Sequence, residues 1–223
     1  MTETLAPRVM ILAAGRGERL RPLTDALPKP LVSLAGKPMI VYHLERLAAA
    51  GVREVFINQG WCGEQLPQQL GDGSRWGLQI TYGWEGWPAL ETGGGIKKAL
   101  PWLCADGREV FVVINGDIAT DYPFENLTAS AMSLPRHIQA HLVLVDNPIQ
   151  HPLGDFVLQD GRVLPKTAQV TSCTFSGIGV YRATMFDNAP TGAFGLAPLL
   201  LAAMHNDAVT GEHYTGWWAD VGT

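Results

Sequence analysis

A short apolar run that passes directly into a glycine- and arginine-rich loop lies near the start of the chain. The run covers residues 9–13, and the loop covers residues 15–30 and ends in Pro28-Lys29-Pro30. An unbroken apolar run that ends at a glycine is typical of a strand buried on both faces, as in a parallel sheet. The loop would then lie at the carboxyl end of a strand, where open α/β sheets bind ligands.

The loop carries an unusual share of the positive charge. Four of the sixteen Lys and Arg residues lie in it, namely Arg16, Arg19, Arg21 and Lys29, although the whole chain has a net charge of −5. Cations beside glycines on an acidic chain indicate a polyanion site, and a triphosphate is the obvious candidate. The net acidity argues against general nucleic-acid binding, which needs a broad basic surface.

Apolar runs and amphipathic segments alternate along the rest of the chain. Further strands are predicted over residues 54–57, 78–82, 110–114, 140–145 and 174–181, with a hairpin formed by 155–158 and 162–164. Helices are predicted over residues 38–50, 62–70, 92–103 and 196–204, the third after a run of three glycines. This alternation indicates an α/β fold, with a parallel sheet and helices on both faces.

Length and composition favour one globular domain in the cytoplasm. The 223 residues are 47% hydrophobic and 17% charged, and three cysteines lie far apart without a metal-binding spacing. We therefore expect reduced thiols and a single domain over 1–223. No stretch approaches the roughly 20 apolar residues of a membrane span, so no membrane association is expected.

Two familiar phosphate-binding loops do not fit the sequence. A dinucleotide-binding loop needs Gly or Ala where this chain has Leu20, and Arg21-Pro22 prevents an immediate helix. A P-loop is absent because Gly36-Lys37 is followed by Pro38.

The complete string GRGERLRPLT, followed by PKP, closely resembles the N-terminal motif of the sugar-1-phosphate nucleotidyltransferases. Further strings fall in the family's order: LETGGGI at 90–96, NGD at 115–117, FSGIGVY at 175–181 and WADVGT at 218–223. The strings DNP at 146–148 and HPLGDF at 151–156 look most like the uridylyltransferase branch that acts on N-acetylmuramate-1-phosphate. The resemblance implies a Rossmann-like three-layer α/β/α sandwich with a mostly parallel central sheet, the nucleotide-diphospho-sugar transferase fold. A nucleotide-binding half would span about 1–125 and a sugar-binding half about 126–223.

The resemblance also implies roles for individual residues. Arg19 would hold the β- and γ-phosphates, Lys29 would neutralise the α-phosphate and the sugar phosphate, and Asp117 and Asp220 would bind Mg²⁺. The nucleotide would contact Ala13, Ala14, Gly15, Gly17, Glu91, Thr92, Gly93 and Gly94. The sugar would contact Asn115, Gly154, Asp155, Gly177 and Gly179.

The expected reaction joins a nucleoside triphosphate, UTP first, to a sugar-1-phosphate and releases pyrophosphate, in cell-wall sugar recycling. Three alternatives stay open: a mannose-1-phosphate guanylyltransferase, a glucose-1-phosphate thymidylyl- or uridylyltransferase, and a non-catalytic domain that senses nucleotide-sugars. A monomer or a small homo-oligomer is expected.

Overall fold

The computed structural model describes residues 6–168 and 170–221, so the last two residues of the 218–223 string lie outside the described residues. The strands are β1 Val9–Leu12, β2 Ser33–Leu34, β3 Lys37–Pro38, β4 Glu54–Gln59, β5 Gln79–Trp84, β6 Val110–Asn115, β7 Ile118–Thr120, β8 Ala140–Val145, β9 Phe156–Gln159, β10 Arg162–Pro165, β11 Thr174–Arg182, β12 Val209–Tyr214 and β13 Trp218–Asp220. The helices are α1 Met39–Ala49, α2 Gln65–Leu70, α3 Glu91–Leu103, α4 Phe124–Ser133 and α5 Ala197–His205.

One nine-stranded sheet runs through the described chain in the order β5-β4-β1-β6-β11-β8-β12-β10-β9. The first four strands in this order are parallel to one another, and β8 and β12 are parallel to each other. β11 runs antiparallel to β6 and β8, and β10 runs antiparallel to β12 and β9. All strands except β11 and β10 therefore point the same way, which confirms the mostly parallel sheet.

Helices cover the sheet on both faces because both faces of its central strands are apolar. Along β1, Val9 and Ile11 belong to one core and Met10 to the other, with all three side chains at most 1% exposed. α1, α2 and α4 supply residues to the first core, and α3 and α5 supply residues to the second. This arrangement confirms the three-layer sandwich. Residues 6–168 and 170–221 contain no helix long and apolar enough to cross a membrane.

The glycine-rich loop and the Asn115-Gly116-Asp117 turn lie side by side at the carboxyl ends of adjacent strands. Leu12 at the end of β1 pairs with Asn115 at the end of β6. The Gly116 N–H donates to the Leu12 carbonyl at 2.9 Å, and a Cβ at Gly116 would lie only 2.6 Å from that oxygen. A glycine here is therefore what allows the two loops to meet.

The helix predicted over residues 92–103 is confirmed as α3, and Gly93, Gly94 and Gly95 lie inside it and not before it. Each glycine leaves room for a neighbour that a side chain would displace. A Cβ would lie 2.4 Å from the Phe194 ring at Gly93 and 2.3 Å from the Gly192 carbonyl at Gly94. Close packing, which the glycine run could not reveal, overrides their low helix propensity.

Other elements were misplaced or missed. The helix predicted from residue 62 begins at Gln65, since Cys62 has a left-handed φ of 51°, and β5 continues to Trp84. α4 and β12 were not predicted. The three cysteines are free thiols, as expected.

Candidate active site

Two adjoining clefts open at the carboxyl ends of β1, β4 and β6. The first cleft, of about 630 Å³, is lined by Leu12, Ala13, Ala14, Gly15, Lys29, Pro30, Asn58, Glu85, Ala89, Glu91, Thr92, Asn115 and Asp117. The second cleft, of about 720 Å³, is lined by Arg19, Asn115, Asp117, Ile118, Pro148, Gln150, His151, Asp155, Thr174, Phe175, Ser176, Trp218 and Asp220. Only Asn115 and Asp117 belong to both of these linings. Two substrates bound in the two clefts would therefore meet at these side chains.

Lys29 contacts the junction of the two clefts directly. Its ammonium donates a hydrogen bond to Asp117 Oδ2, and its side chain is only 9% exposed. Pro28 and Pro30 restrict the backbone on both sides of it. The lysine is thus a fixed positive charge at the point where the clefts join.

The glycines of the loop serve two different purposes. Gly17 has a left-handed φ of 67°, and a Cβ there would lie 3.0 Å from the Cβ of Lys29, so this glycine lets the loop pack against the lysine. A Cβ at Gly15 would have no heavy atom within 4 Å. Gly15 instead borders the first cleft and leaves its backbone accessible to a ligand.

A buried polar network that the sequence reading missed forms the floor of the first cleft. Asn58 Oδ1 accepts a 2.6 Å hydrogen bond from the Ala13 N–H, and Asn58 Nδ2 donates to Glu85 Oε1 at 2.7 Å. Glu85 Oε2 accepts from the Leu90 N–H at 3.2 Å. The Ala13 N–H is therefore already used, and a base would have to bind other backbone groups. Asn58 follows the apolar part of β4 and Glu85 follows β5, so the strand-end rule could have located both residues.

Glu85 should give the protein's stability a measurable pH dependence. Burial raises the pKa of this carboxyl above its ordinary value of 4.5, so the folded state holds the proton more tightly than the unfolded state does. This proton binding stabilises the folded state fully below pH 4.5, and the stabilisation is lost as the pH rises through the raised pKa. The loss is about 1.4 kcal/mol for each unit by which the pKa is raised. The free energy of unfolding of the wild type, minus that of Glu85→Gln, should therefore fall with pH.

Urea titrations at several pH values would measure this difference. Glu64→Gln is a suitable control, because Glu64 is exposed. If the difference in unfolding free energy between the wild type and Glu85→Gln stayed constant or grew with pH, the Glu85 carboxyl would not be the source of the pH dependence.

The fold brings Asp117 and Asp220 to the same cleft although they are far apart in sequence. β13 pairs with β7 so that Asp220 lies opposite Ile118, and the Val221 N–H donates to the Asp117 carbonyl at 3.0 Å. In the described part of the chain, no group of three or more His, Cys, Asp and Glu side chains could hold a metal. Mg²⁺ usually takes one or two carboxylates and completes its shell with water and substrate phosphates, so this pair of donors fits it.

Several predicted site residues lie away from the described walls of both clefts. Gly93 and Gly94 face the 192–194 segment, and Gly154 packs against Asn147. Gly177, at a bulge in β11, has a φ of 81° and would bring a Cβ within 2.7 Å of the Asn115 side chain. Gly179 lies beneath the Tyr181 ring.

Gly17 also lies outside the described cleft walls, because it packs against Lys29, whereas the remaining predicted residues do line the clefts. Arg19 is exposed and borders the second cleft together with Asp220 and Asp155, whereas Glu91 and Thr92 border the first at the start of α3. Gln150, His151 and Ser176 of the second cleft were not among the predicted site residues.

Comparisons with known proteins identify the family. A sequence profile of the family described as "Nucleotidyl transferase" matches residues 8–223. An N-acetylmuramate alpha-1-phosphate uridylyltransferase from Neisseria meningitidis serogroup B is 50% identical over 218 residues, which cover 97% of this chain and 93% of that protein. The chain belongs to the sugar-1-phosphate nucleotidyltransferase family.

Two further matches extend this result. An N-acetylmuramate alpha-1-phosphate uridylyltransferase from Caulobacter vibrioides is 34% identical over 226 residues, covering 97% of this chain and 93% of that one. A solved Bacillus anthracis structure assigned as a glucose-1-phosphate thymidylyltransferase has a TM-score of 0.83 at 22% identity, covering 97% of this chain and 90% of that one. The latter match shows the fold. The recognition of the family and of the fold from sequence strings is thereby confirmed.

Because the chain belongs to this family, it is an enzyme. Members of the family join nucleoside triphosphates to sugar-1-phosphates and generally use a divalent metal. The geometry has the parts that such a reaction needs. Two clefts share one wall, a buried cation lies at their junction, and three carboxylates border the second cleft, among them Asp117 and Asp220.

Proposed function

We propose that this enzyme transfers the uridylyl group of UTP to N-acetylmuramate-1-phosphate, in the cytoplasm, as a step of cell-wall sugar recycling. The observation that carries the proposal is the junction of the two clefts at Asn115, Asp117 and Lys29. The names and the 50% and 34% identities of the two uridylyltransferase relatives support the choice of substrates. One domain over 1–223 would hold both substrates.

The triphosphate would occupy the first cleft and the sugar the second. The base and ribose would lie between the small residues Ala14 and Gly15 and the start of α3 at Glu91 and Thr92. The sugar would face Asn115, Asp155 and the β11 segment, and Arg19 would hold the β- and γ-phosphates from the rim. A guanidinium suits that role because its forked donors match phosphate oxygens.

The reaction needs positioning and charge neutralisation more than proton transfer. An oxygen of the sugar phosphate attacks the α-phosphorus of UTP in line, and a new P–O bond forms. The bond from that phosphorus to the α,β-bridging oxygen breaks, and pyrophosphate leaves with the electron pair. Because the nucleophile is already ionised, no general base is required. Lys29 would neutralise the two phosphates that must approach each other.

Asp117 and Asp220 would hold Mg²⁺. When bound, the ion would neutralise phosphate oxygens and offset the charge that develops on the leaving group. The Lys29 contact would keep the Asp117 carboxylate in place beside the junction.

A substrate panel tests the proposal. Purified protein is given UTP, GTP, dTTP, ATP or CTP with N-acetylmuramate-1-phosphate, N-acetylglucosamine-1-phosphate, glucose-1-phosphate or mannose-1-phosphate, and pyrophosphate is measured. We expect kcat/KM to be highest for UTP with N-acetylmuramate-1-phosphate.

Other outcomes would replace the proposal. Turnover of GTP with mannose-1-phosphate, but not of UTP, would make the protein a guanylyltransferase. Binding of nucleotide-sugars without pyrophosphate release from any pair would indicate a sensor.

A further inference from the structure

The loop between β8 and β9 places His151 at the wall of the second cleft, where Asp155 holds it. His151 Nε2 lies 3.0 Å from Asp155 Oδ1, and Asp155 Oδ2 accepts a 2.8 Å hydrogen bond from the Phe175 N–H of β11. Both carboxylate oxygens of Asp155 therefore have partners. This geometry is better suited to positioning His151 than to binding a sugar hydroxyl.

The His151 ring is accessible to a ligand. Its side chain is 44% exposed and borders the second cleft. The contact to Asp155 uses Nε2, and Nδ1 has no hydrogen-bond partner within the described chain. An imidazolium has an N–H at both ring nitrogens, so it can donate to Asp155 and to a second acceptor at once.

The charges of the second cleft make such a donor useful. Its described walls contain three carboxylates, Asp117, Asp155 and Asp220, and only two groups that can be cationic, Arg19 and His151. A substrate carboxylate that entered this acidic surface without a cationic partner would bind poorly. Both side chains border the second cleft, but we have proposed that Arg19 holds the triphosphate from the rim, which leaves His151.

N-acetylmuramate carries such a carboxylate, because a lactyl ether at O3 distinguishes it from N-acetylglucosamine. We propose that His151, oriented by Asp155, binds this lactyl carboxylate and so selects N-acetylmuramate-1-phosphate over sugar phosphates that lack it. The inference rests on the proposed function and adds the residue that reads the lactyl group. It assigns Asp155 the part of a positioning residue.

The test compares N-acetylmuramate-1-phosphate with its lactyl amide, which keeps the shape of the group but removes its charge. His151→Gln retains a donor for Asp155 but cannot be charged. We expect it to raise KM for the acid about 10- to 100-fold, the range of a charge-assisted hydrogen bond, with kcat changed less than about threefold. KM for the amide should stay nearly constant. Asp155→Asn should change the acid-to-amide ratio in the same direction by a smaller factor.

A matched pair elsewhere on the surface provides the control. His213 Nε2 contacts Asp146 Oδ1 at 2.9 Å, and neither residue belongs to the described walls of the clefts. His213→Gln should leave both KM values unchanged, and thermal melting would check that every variant is folded.

Equal increases in KM for acid and amide with His151→Gln, or no increase for either, would overturn the assignment of His151 while the uridylyltransferase stands. An inactive wild type with N-acetylmuramate-1-phosphate and every nucleotide would instead overturn the proposed function, and the assignment with it.

Discussion

Replacing Lys29 by Met should lower kcat/KM by about 10²–10³-fold, the loss typical of removing one preorganised electrostatic donor. Met retains most of the apolar stem of the side chain, which is only 9% exposed, so the loop should keep its packing. The ammonium that contacts Asp117 would be lost, and the two phosphates would meet without it. We expect most of the loss in kcat, since the charge matters most when the phosphates approach each other.

Steady-state kinetics with both substrates varied would measure the effect. Lys37→Met is the matched control, because Lys37 pairs with Glu45 outside the described walls of the clefts. This variant should keep nearly the whole kcat/KM of the wild type. Lys29→Arg should also be impaired, since a planar guanidinium cannot replace a compact ammonium in this confined position. A Lys29→Met enzyme within about threefold of the wild type would remove the lysine from the mechanism.

The second large effect is expected from Asp117→Asn and Asp220→Asn. Each change keeps the shape of the side chain but removes one of the two carboxylates of the second cleft that we propose as Mg²⁺ ligands. Removing a residue that supports a metal ligand typically lowers metal affinity or activity about 10–100-fold. Loss of a ligand itself should therefore lower kcat at least about 10²-fold. Each variant should also need more Mg²⁺ to reach half-maximal activity.

Activity measured against Mg²⁺ concentration would separate metal binding from a merely structural defect. Asp146→Asn is the control, because its side chain is 85% exposed and lies outside the described cleft walls. If the half-saturating Mg²⁺ concentration of Asp117→Asn or Asp220→Asn matched that of the wild type, that residue would not be a ligand.

The parts of the fold that sequence reasoning found are those with an unambiguous local signal. β1 and residues 110–114 of β6 are unbroken apolar runs, and β8 is interrupted only by His141, because both faces of the central sheet are buried. β12 reads VTGEHY and has no clear apolar period. α4 reads FENLTASAMS, and its buried residues Phe124, Leu127 and Ala131 have helical spacing, which was overlooked in the sequence. Their place in the fold depends on contacts with β8 and β6, which no local pattern encodes.

The candidate site divides in the same way. Lys29 and Asp117 lie within distinctive strings, so both could be proposed from the sequence, but their contact depends on a long-range meeting of β1 and β6. Asn58 and Glu85 lie at strand ends, where they could have been located, but only the packed sheet shows that they form one buried network.

Product analysis with UTP, N-acetylmuramate-1-phosphate and Mg²⁺ tests the central claim most directly. Pyrophosphate is quantified by a coupled assay and the nucleotide product by mass spectrometry, with either substrate omitted in parallel reactions. We expect one UDP-N-acetylmuramate for each pyrophosphate and neither product when a substrate is missing. Pyrophosphate released without the sugar phosphate, or no UDP-sugar with both substrates present, would contradict the account.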